Sequence, residues 1–263
     1  MITFKTQGDL PDSYRALRAA AVAADSRSKE IINLLSIWRE LAGGRCNVVL
    51  GFFLGERCYL VLSPATEEPA SPIEARRLEI LESVLGGVRQ KCLAIDLGLA
   101  PSTVALQFKL ALASIGVLGR PSRAHPLLMR VARAASEPAF ARYSTFVAPE
   151  GDELRVISVT RPDRALSAIL PSAEREVVRS LVEGLTYQEI AEARKTSTRT
   201  IANQVSAVFR RLAVSGRNEL VQRLFVDGSL SELVADTPDA ATRSTPQTER
   251  MAARHAEVVR KVG

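Results

Sequence analysis

Residues 170–214, LPSAEREVVRSLVEGLTYQEIAEARKTSTRTIANQVSAVFRRLAV, constrain the fold of this chain more than any other stretch. Val177, Val178, Leu181 and Val182 recur at helical spacing behind Pro171 and Ser172, and Gly184 stops that helix. Glu174 and Glu176 lie in its first turn, where negative charge suits the helix dipole. A second short helix runs from Thr186 to about Ala193 and buries Ile190 and Ala191. Small and polar residues then lead to Ser197, a good N-cap for a third helix. There Ile201, Val205, Val208 and Leu212 step by four, three and four and make one stripe, while Arg199, Ala202, Asn203, Ser206 and Arg210 point elsewhere.

Three such helices read as a helix-turn-helix. A third helix pinned on one side, and small, polar and cationic on the other, fits a DNA major groove about 12 Å wide. The run resembles the LuxR-type output domain of bacterial regulators. Glu174-Arg175-Glu176-Val177, Glu183-Gly184-Leu185, Glu189-Ile190-Ala191-Glu192, Thr200, Asn203, Val205-Ser206, Arg210 and Leu212 fall in the family's register without a gap. The resemblance implies a four-helix domain with 218–225 as its last helix, often a dimer contact in the family. It implies base reading from the positions of Ala202, Asn203 and Ser206. The chain departs from the pattern where the usual Lys is Ala202, the usual His is Gln204, and the usual Leu-Gly-Ile is Arg194-Lys195-Thr196. The fold therefore carries over, and the base preference does not.

Chemistry assigns the remaining roles on this surface. Lys195, Arg199, Arg210, Arg211 and Arg217 are the candidate phosphate contacts, joined by Ser197, Thr198 and Thr200 at the start of the helix. Asn203 can pair with adenine through two hydrogen bonds, Ser206 can donate or accept, and Ala202 can rest on a thymine methyl.

Composition agrees with this reading and excludes others. The formal charge of +6 favours a polyanionic partner, and 46% hydrophobic content over 263 residues builds a substantial core. No apolar run approaches ~18 residues and the N-terminus lacks a signal-peptide pattern, so a cytoplasmic bacterial protein away from the membrane is expected. Cys46, Cys58 and Cys92 lie in apolar surroundings and read as small buried hydrophobes. With His125 and His255 the only histidines, no metal site is expected, and no cofactor. No paired carboxylate, nucleophile with its base, or phosphate loop argues for an enzyme.

Upstream, two helices are expected at 13–24 and 28–41, the second burying Ile31, Ile32, Leu35 and Trp38, after a short strand at 2–5. Residues 47–54 and 57–62 read as a β-hairpin about Gly55-Glu56, and a linker leads to a helix at about 73–85. An internal comparison then sets the expected architecture. A shift of 97 positions, from Gly87 to Gly184, lays 88–120 on 185–217 without a gap; Ala94, Thr103, Ala105, Gln107, Val117, Gly119 and Arg120 match their counterparts. A shift of 96 lays the hairpin on a second one at 143–148 and 153–160. The expected fold class is mainly α with short β-hairpins, in tandem units of a hairpin plus a LuxR-type four-helix domain. The expected divisions are an N-terminal helical segment 1–45, a degenerate first unit 46–140, a second unit 141–235, and a flexible tail 236–263 with a helix in it.

The two copies differ in their outward residues. In the first, Val104, Phe108, Ala111 and Ile115 form the buried stripe, and Leu106, Leu110 and Leu112 lie partly off it. Leu106, Lys109, Leu110 and Arg120, with Arg123 beside them, offer a second contact for DNA or for protein. The expected partner is double-stranded DNA, met by a homodimer or by an intramolecular pseudo-dimer, with RNA polymerase as a further contact. The alternative is an adaptor that keeps the helix-turn-helix shape to bind another regulator or the polymerase.

Overall fold

A computed structural model describes residues 12–65, 72–118, 126–161, 166 and 169–224. The strand expected at 2–5, Arg120, Arg123, Phe225 and the tail 236–263 lie outside them. The chain opens with α1 (Asp12–Arg27), which buries Leu17, Ala21 and Ala24 at helical spacing. The helix expected over 28–41 is instead a short strand, β1 (Ile31–Asn33), followed by α2 (Leu34–Ala42). Asn33 is the reason for the break: its backbone is extended and its side chain accepts from the Leu35 N–H at 2.9 Å, capping α2. Ile31 is left 65% exposed and Ile32 and Leu35 are half-buried; Trp38 is buried as expected, and Leu34, Ile37 and Leu41 complete the buried face.

Two hairpins follow the predicted positions with different turns. Strands β2 (Cys46–Leu54) and β3 (Arg57–Pro64) join through Gly55-Glu56, where Gly55 takes φ +54°. Strands β4 (Phe140–Val147) and β5 (Glu153–Thr160) close over a longer turn, in which the Ala148 N–H donates to the Asp152 carbonyl at 2.8 Å. The second hairpin thus starts earlier than expected and its turn is wider. The hairpins do not stand apart. All five strands make one antiparallel sheet in the order β1-β4-β5-β3-β2, so β3 pairs with β5 across the middle. The architecture is mixed helix and antiparallel sheet, with more sheet than isolated hairpins would give.

Strand alternation separates the two faces of this sheet. On one, Leu50, Phe52, Tyr59, Val61, Leu154 and Val156 pack with Leu17, Ala21 and Ala24 of α1. Asp25, 1% exposed, ends α1 on that face, where Arg57 at 3.3 Å and Arg142 at 3.5 Å neutralise it and the Ser158 hydroxyl donates to it. Burying a carboxylate without such partners would cost several kcal/mol, so this cluster fixes where α1 sits. On the other face Arg155 of β5 meets Glu40 of α2 at 2.6 Å. Burial pushes the nearby Cys46 thiol up to about 11, against the pull of Arg155, so it stays protonated.

The remaining helices come in two similar sets. α3 (Ala75–Leu85), α4 (Gln90–Asp96) and α5 (Pro101–Ser114) have 11, 7 and 14 residues. α7 (Ser172–Val182), α8 (Tyr187–Ala193) and α9 (Thr198–Arg211) have 11, 7 and 14 as well, each starting 97 positions after its counterpart. Between the sets runs α6 (Pro126–Arg133), almost wholly buried, and α10 (Arg217–Gln222) stands where the last helix was expected, with Phe225 outside the described residues. In α5 the stripe of Val104, Phe108, Ala111 and Ile115 is buried as expected, but Leu112 is buried too, because it follows Phe108 by one helical turn and widens the stripe. Leu106 and Leu110 stay 54% and 41% exposed. Cys92 is also a correction: it is exposed on α4, whose inward side is held by Leu93 and Ala94. No helix among the described residues is long and apolar enough to cross a membrane, and no cluster among them could hold a metal ion.

Candidate nucleic-acid interface

α7 and α8 form the platform on which α9 is presented. Val177, Val178, Leu181 and Val182 turn inward from α7, and Ile190 and Ala191 from α8. Thr186 caps α8 with a reciprocal pair: its side chain accepts from the Glu189 N–H at 3.2 Å, and Glu189 accepts from the Thr186 N–H at 2.6 Å. Ser197 caps α9 by accepting from the Thr200 N–H at 3.0 Å. The apolar stripe of Ile201, Val205, Val208 and Leu212 is buried throughout. Each of these devices fixes the side of α9 that faces away.

That outer side collects most of the residues the sequence singled out. Lys195, Ser197, Thr198, Arg199, Thr200, Asn203, Ser206, Arg210 and Arg211 are exposed, and Ala202 is half-buried among them. Lys195, Arg199 and Arg210 make no ion pair among the described residues, and the Asn203 amide makes no hydrogen bond there. Ser206 donates its hydroxyl proton to the Ala202 carbonyl at 2.9 Å, which leaves the oxygen to accept.

Two of the predicted cations are engaged within the protein. Arg211 pairs with Glu174 of α7 at 2.6 Å. Arg217 is half-buried and donates to the Leu181 carbonyl at 2.6 Å, holding α10 to the end of α7. Arg194, next to the turn, is tied to Glu176 at 3.0 Å and to the Ala173 carbonyl at 3.1 Å. These contacts lock α7 to α9 and its entry turn at the expense of free charge.

Sequence reasoning missed three features of the surface. Lys195 stands in the left-handed region at φ +51°, and Ala213, just past the other end of α9, at φ +50°. The counterparts 97 positions earlier are Gly98 and Gly116, so the internal comparison held the signal. Gln204 is half-buried with its Oε1 unpaired among the described residues. Tyr187, 38% exposed, stands in the first turn of α8 and was not singled out. On the first set, Leu106, Lys109 and Leu110 share the exposed side of α5, and Ile95, 80% exposed, adds to the apolar surface from α4.

A capped helix carried outward on two others, with cations unpaired along it, has the arrangement of a helix-turn-helix. Residues 168–224 match the family model described as bacterial regulatory proteins, luxR family. This segment is a LuxR-family helix-turn-helix domain, the kind carried by DNA-binding transcription regulators. In the comparisons with curated proteins and with solved structures, nothing matches.

Proposed function

We propose that this protein is a sequence-specific transcription regulator that lays α9 in the major groove of double-stranded DNA. The observation that carries the reading is the free set of Lys195, Arg199 and Arg210 around an unpaired Asn203 on a helix whose other side is fully buried. These cations take phosphates on either side of the groove, with Ser197, Thr198 and Thr200 at the helix start. Asn203 reads adenine, Ser206 accepts from a base edge, and Ala202 rests on a thymine methyl. Arg211 and Arg217 contribute less, because each already has a partner in the protein. The work is done in the bacterial cytoplasm, with RNA polymerase as the partner of any activating contact.

The tandem organisation belongs to the same proposal: 46–140 and 141–235 are two copies of one unit, and the equal helix lengths in the two sets support it. A salt titration of binding to random duplex tests the DNA reading. Three free cations predict a slope of log affinity against log salt of about −3. Arg199→Glu combined with Arg210→Glu abolishes binding. If the double reversal leaves affinity unchanged, the helix-turn-helix serves protein contacts and the adaptor reading replaces this one.

A further inference from the structure

The large apolar side chains left in solvent are not spread evenly over the molecule. Ten are exposed among the described residues, and five of them, Val88, Ile95, Leu106, Leu110 and Leu118, fall within 88–118. The matching stretch 185–215 holds one, Tyr187. The contrast runs position by position: 97 residues on, Ile95 is matched by Glu192, Leu106 by Asn203, Leu110 by Ala207 and Leu118 by Ser215. Ala113 likewise stands where α9 has Arg210. The outward side of α5 is thus apolar where that of α9 is polar and basic, and an exposed apolar surface of this kind marks contact with protein.

The helix that follows α9 offers no such surface. α10 packs on α6 and α7 and buries Leu220 and Val221, with Leu224 buried just beyond it. Its Gln222 donates to the Gly86 carbonyl at 2.9 Å, and the Gln222 Oε1 lies 1.9 Å from where a Cβ on Gly87 would stand, so α10 is seated against the α3–α4 corner. Arg89 holds the same junction by donating to the Ser215 hydroxyl at 2.8 Å. The helix expected as a dimer contact has its apolar residues engaged within one chain.

We propose that the α4–α5 face is a self-association surface, on which a second copy of this chain docks about a two-fold axis. The charges on the face fit that occupant. α4 packs on α5; Asp96 ends α4 beside Ile95, and Lys109 lies within one helical turn of Leu106 and Leu110. Both charges are exposed, and neither has an ion pair or a side-chain hydrogen bond among the described residues. In a two-fold contact every residue pair occurs twice with the roles exchanged. One unpaired acid and one unpaired base beside the leucines therefore satisfy each other across the axis, Asp96 of each copy against Lys109 of the other, at the rim of an apolar centre. Double-stranded DNA fits the face worse, since leucines find only thymine methyls in a groove and Asp96 repels phosphate. The contact does not depend on what α9 reads.

Sedimentation equilibrium of the full chain tests this. The chain forms a dimer that dissociates on dilution, and Leu106→Glu raises the dissociation constant by roughly tenfold or more. Lys109→Asp and Asp96→Lys each weaken the dimer, because each sets like charges together twice. Mixing these two variants restores association, and so does combining both substitutions in one chain. A chain that stays monomeric at every concentration, a dimer untouched by Leu106→Glu, or a mixture that associates no better than its components overturns the proposal. The readout involves no DNA, so its failure and a failure of DNA reading by α9 are separate results.

Discussion

The two helical sets have the same lengths and spacing but hold their shape by different means. In the second set, Ser197 and Thr186 cap α9 and α8 with side-chain hydrogen bonds. In the first, α5 and α4 start at Ala100 and Arg89 with no side-chain cap, and Pro101 opens α5. The turns are reversed in character: glycines at Gly98 and Gly116 in the first set, Lys195 and Ala213 with positive φ in the second. Each cap stabilises by about 1 kcal/mol, and each non-glycine left-handed residue costs roughly 1–2 kcal/mol. The second set therefore relies on local bonds and tolerates strain beside its exposed basic surface. The first is held by what packs on it, and the outer side of α5 carries one cation, Lys109.

The largest effect expected from this contrast is at Gly116. A Cβ there would lie 2.6 Å from the Val48 carbonyl oxygen and 3.0 Å from the Val48 nitrogen, both backbone atoms of β2, and φ is +85°. The Val48 N–H donates to the Ile115 carbonyl at 2.8 Å, so neither segment can yield alone. Gly116→Ala should cost roughly 2–4 kcal/mol in urea unfolding. At the matching site in the second set the chain already carries Ala213, and Ala213→Gly should change stability by less than about 1 kcal/mol. Equal effects at the two sites would mean that β2 does not distinguish the sets.

Next in size is the difference between the reading surfaces. Asn203→Ala should lose about 1–3 kcal/mol on a single-site duplex selected from a random library and almost nothing on random DNA, measured by fluorescence anisotropy. Leu106→Ala, at the counterpart position, should lose less than about threefold on that single site, since a thymine methyl is all of the DNA it can touch. A larger loss from Leu106 than from Asn203 would assign base reading to the wrong set. Below these come the caps. Ser197→Ala should destabilise by about 1 kcal/mol, and Ala100→Ser should stabilise by a similar or smaller amount, because α5 lacks the bond that α9 has. Thermal denaturation reads both; no gain from Ala100→Ser would mean that Pro101 already satisfies the start of α5.

How much of this was legible follows from the range of each interaction. The buried stripe of α9 and its Ser197 cap are local, and the residues state them outright; the Thr186–Glu189 pair is equally local but was passed over. The shift of 97 pointed to helices at the positions of α4 and α5, and α3 was read from its own spacing. The sheet was not legible, because the β3–β5 ladder joins residues about a hundred positions apart whose side chains are apolar on both faces, so that no alternation marks the partner. The three-residue strand at Ile31 was lost for a related reason: apolar spacing continued through it into α2, and only the edge of β4 decides otherwise. Glu174 read as a helix-dipole partner, and the structure gives it Arg211 as well. The charge actually free at the interface could be counted only after that pairing was known.

Lys195 offers the smallest effect on stability and the sharpest test of why the two sets differ at this turn. A lysine at φ +51° is held in a conformation that glycine adopts freely, and Gly98 shows the glycine solution in the same turn. Lys195→Gly removes that cost but gives the unfolded chain more freedom, about 0.4–1 kcal/mol, so the net gain should lie between zero and about 1 kcal/mol. Binding moves the other way. If the ammonium neutralises a phosphate, the salt slope becomes shallower by about 0.9 and affinity falls at low salt. Gly98→Lys is the mirror experiment: it should lose about 1 kcal/mol of stability and steepen the slope only if α5 also faces the duplex. Should Lys195→Gly stabilise the fold with the slope unchanged, the strain at this turn would have nothing to do with DNA.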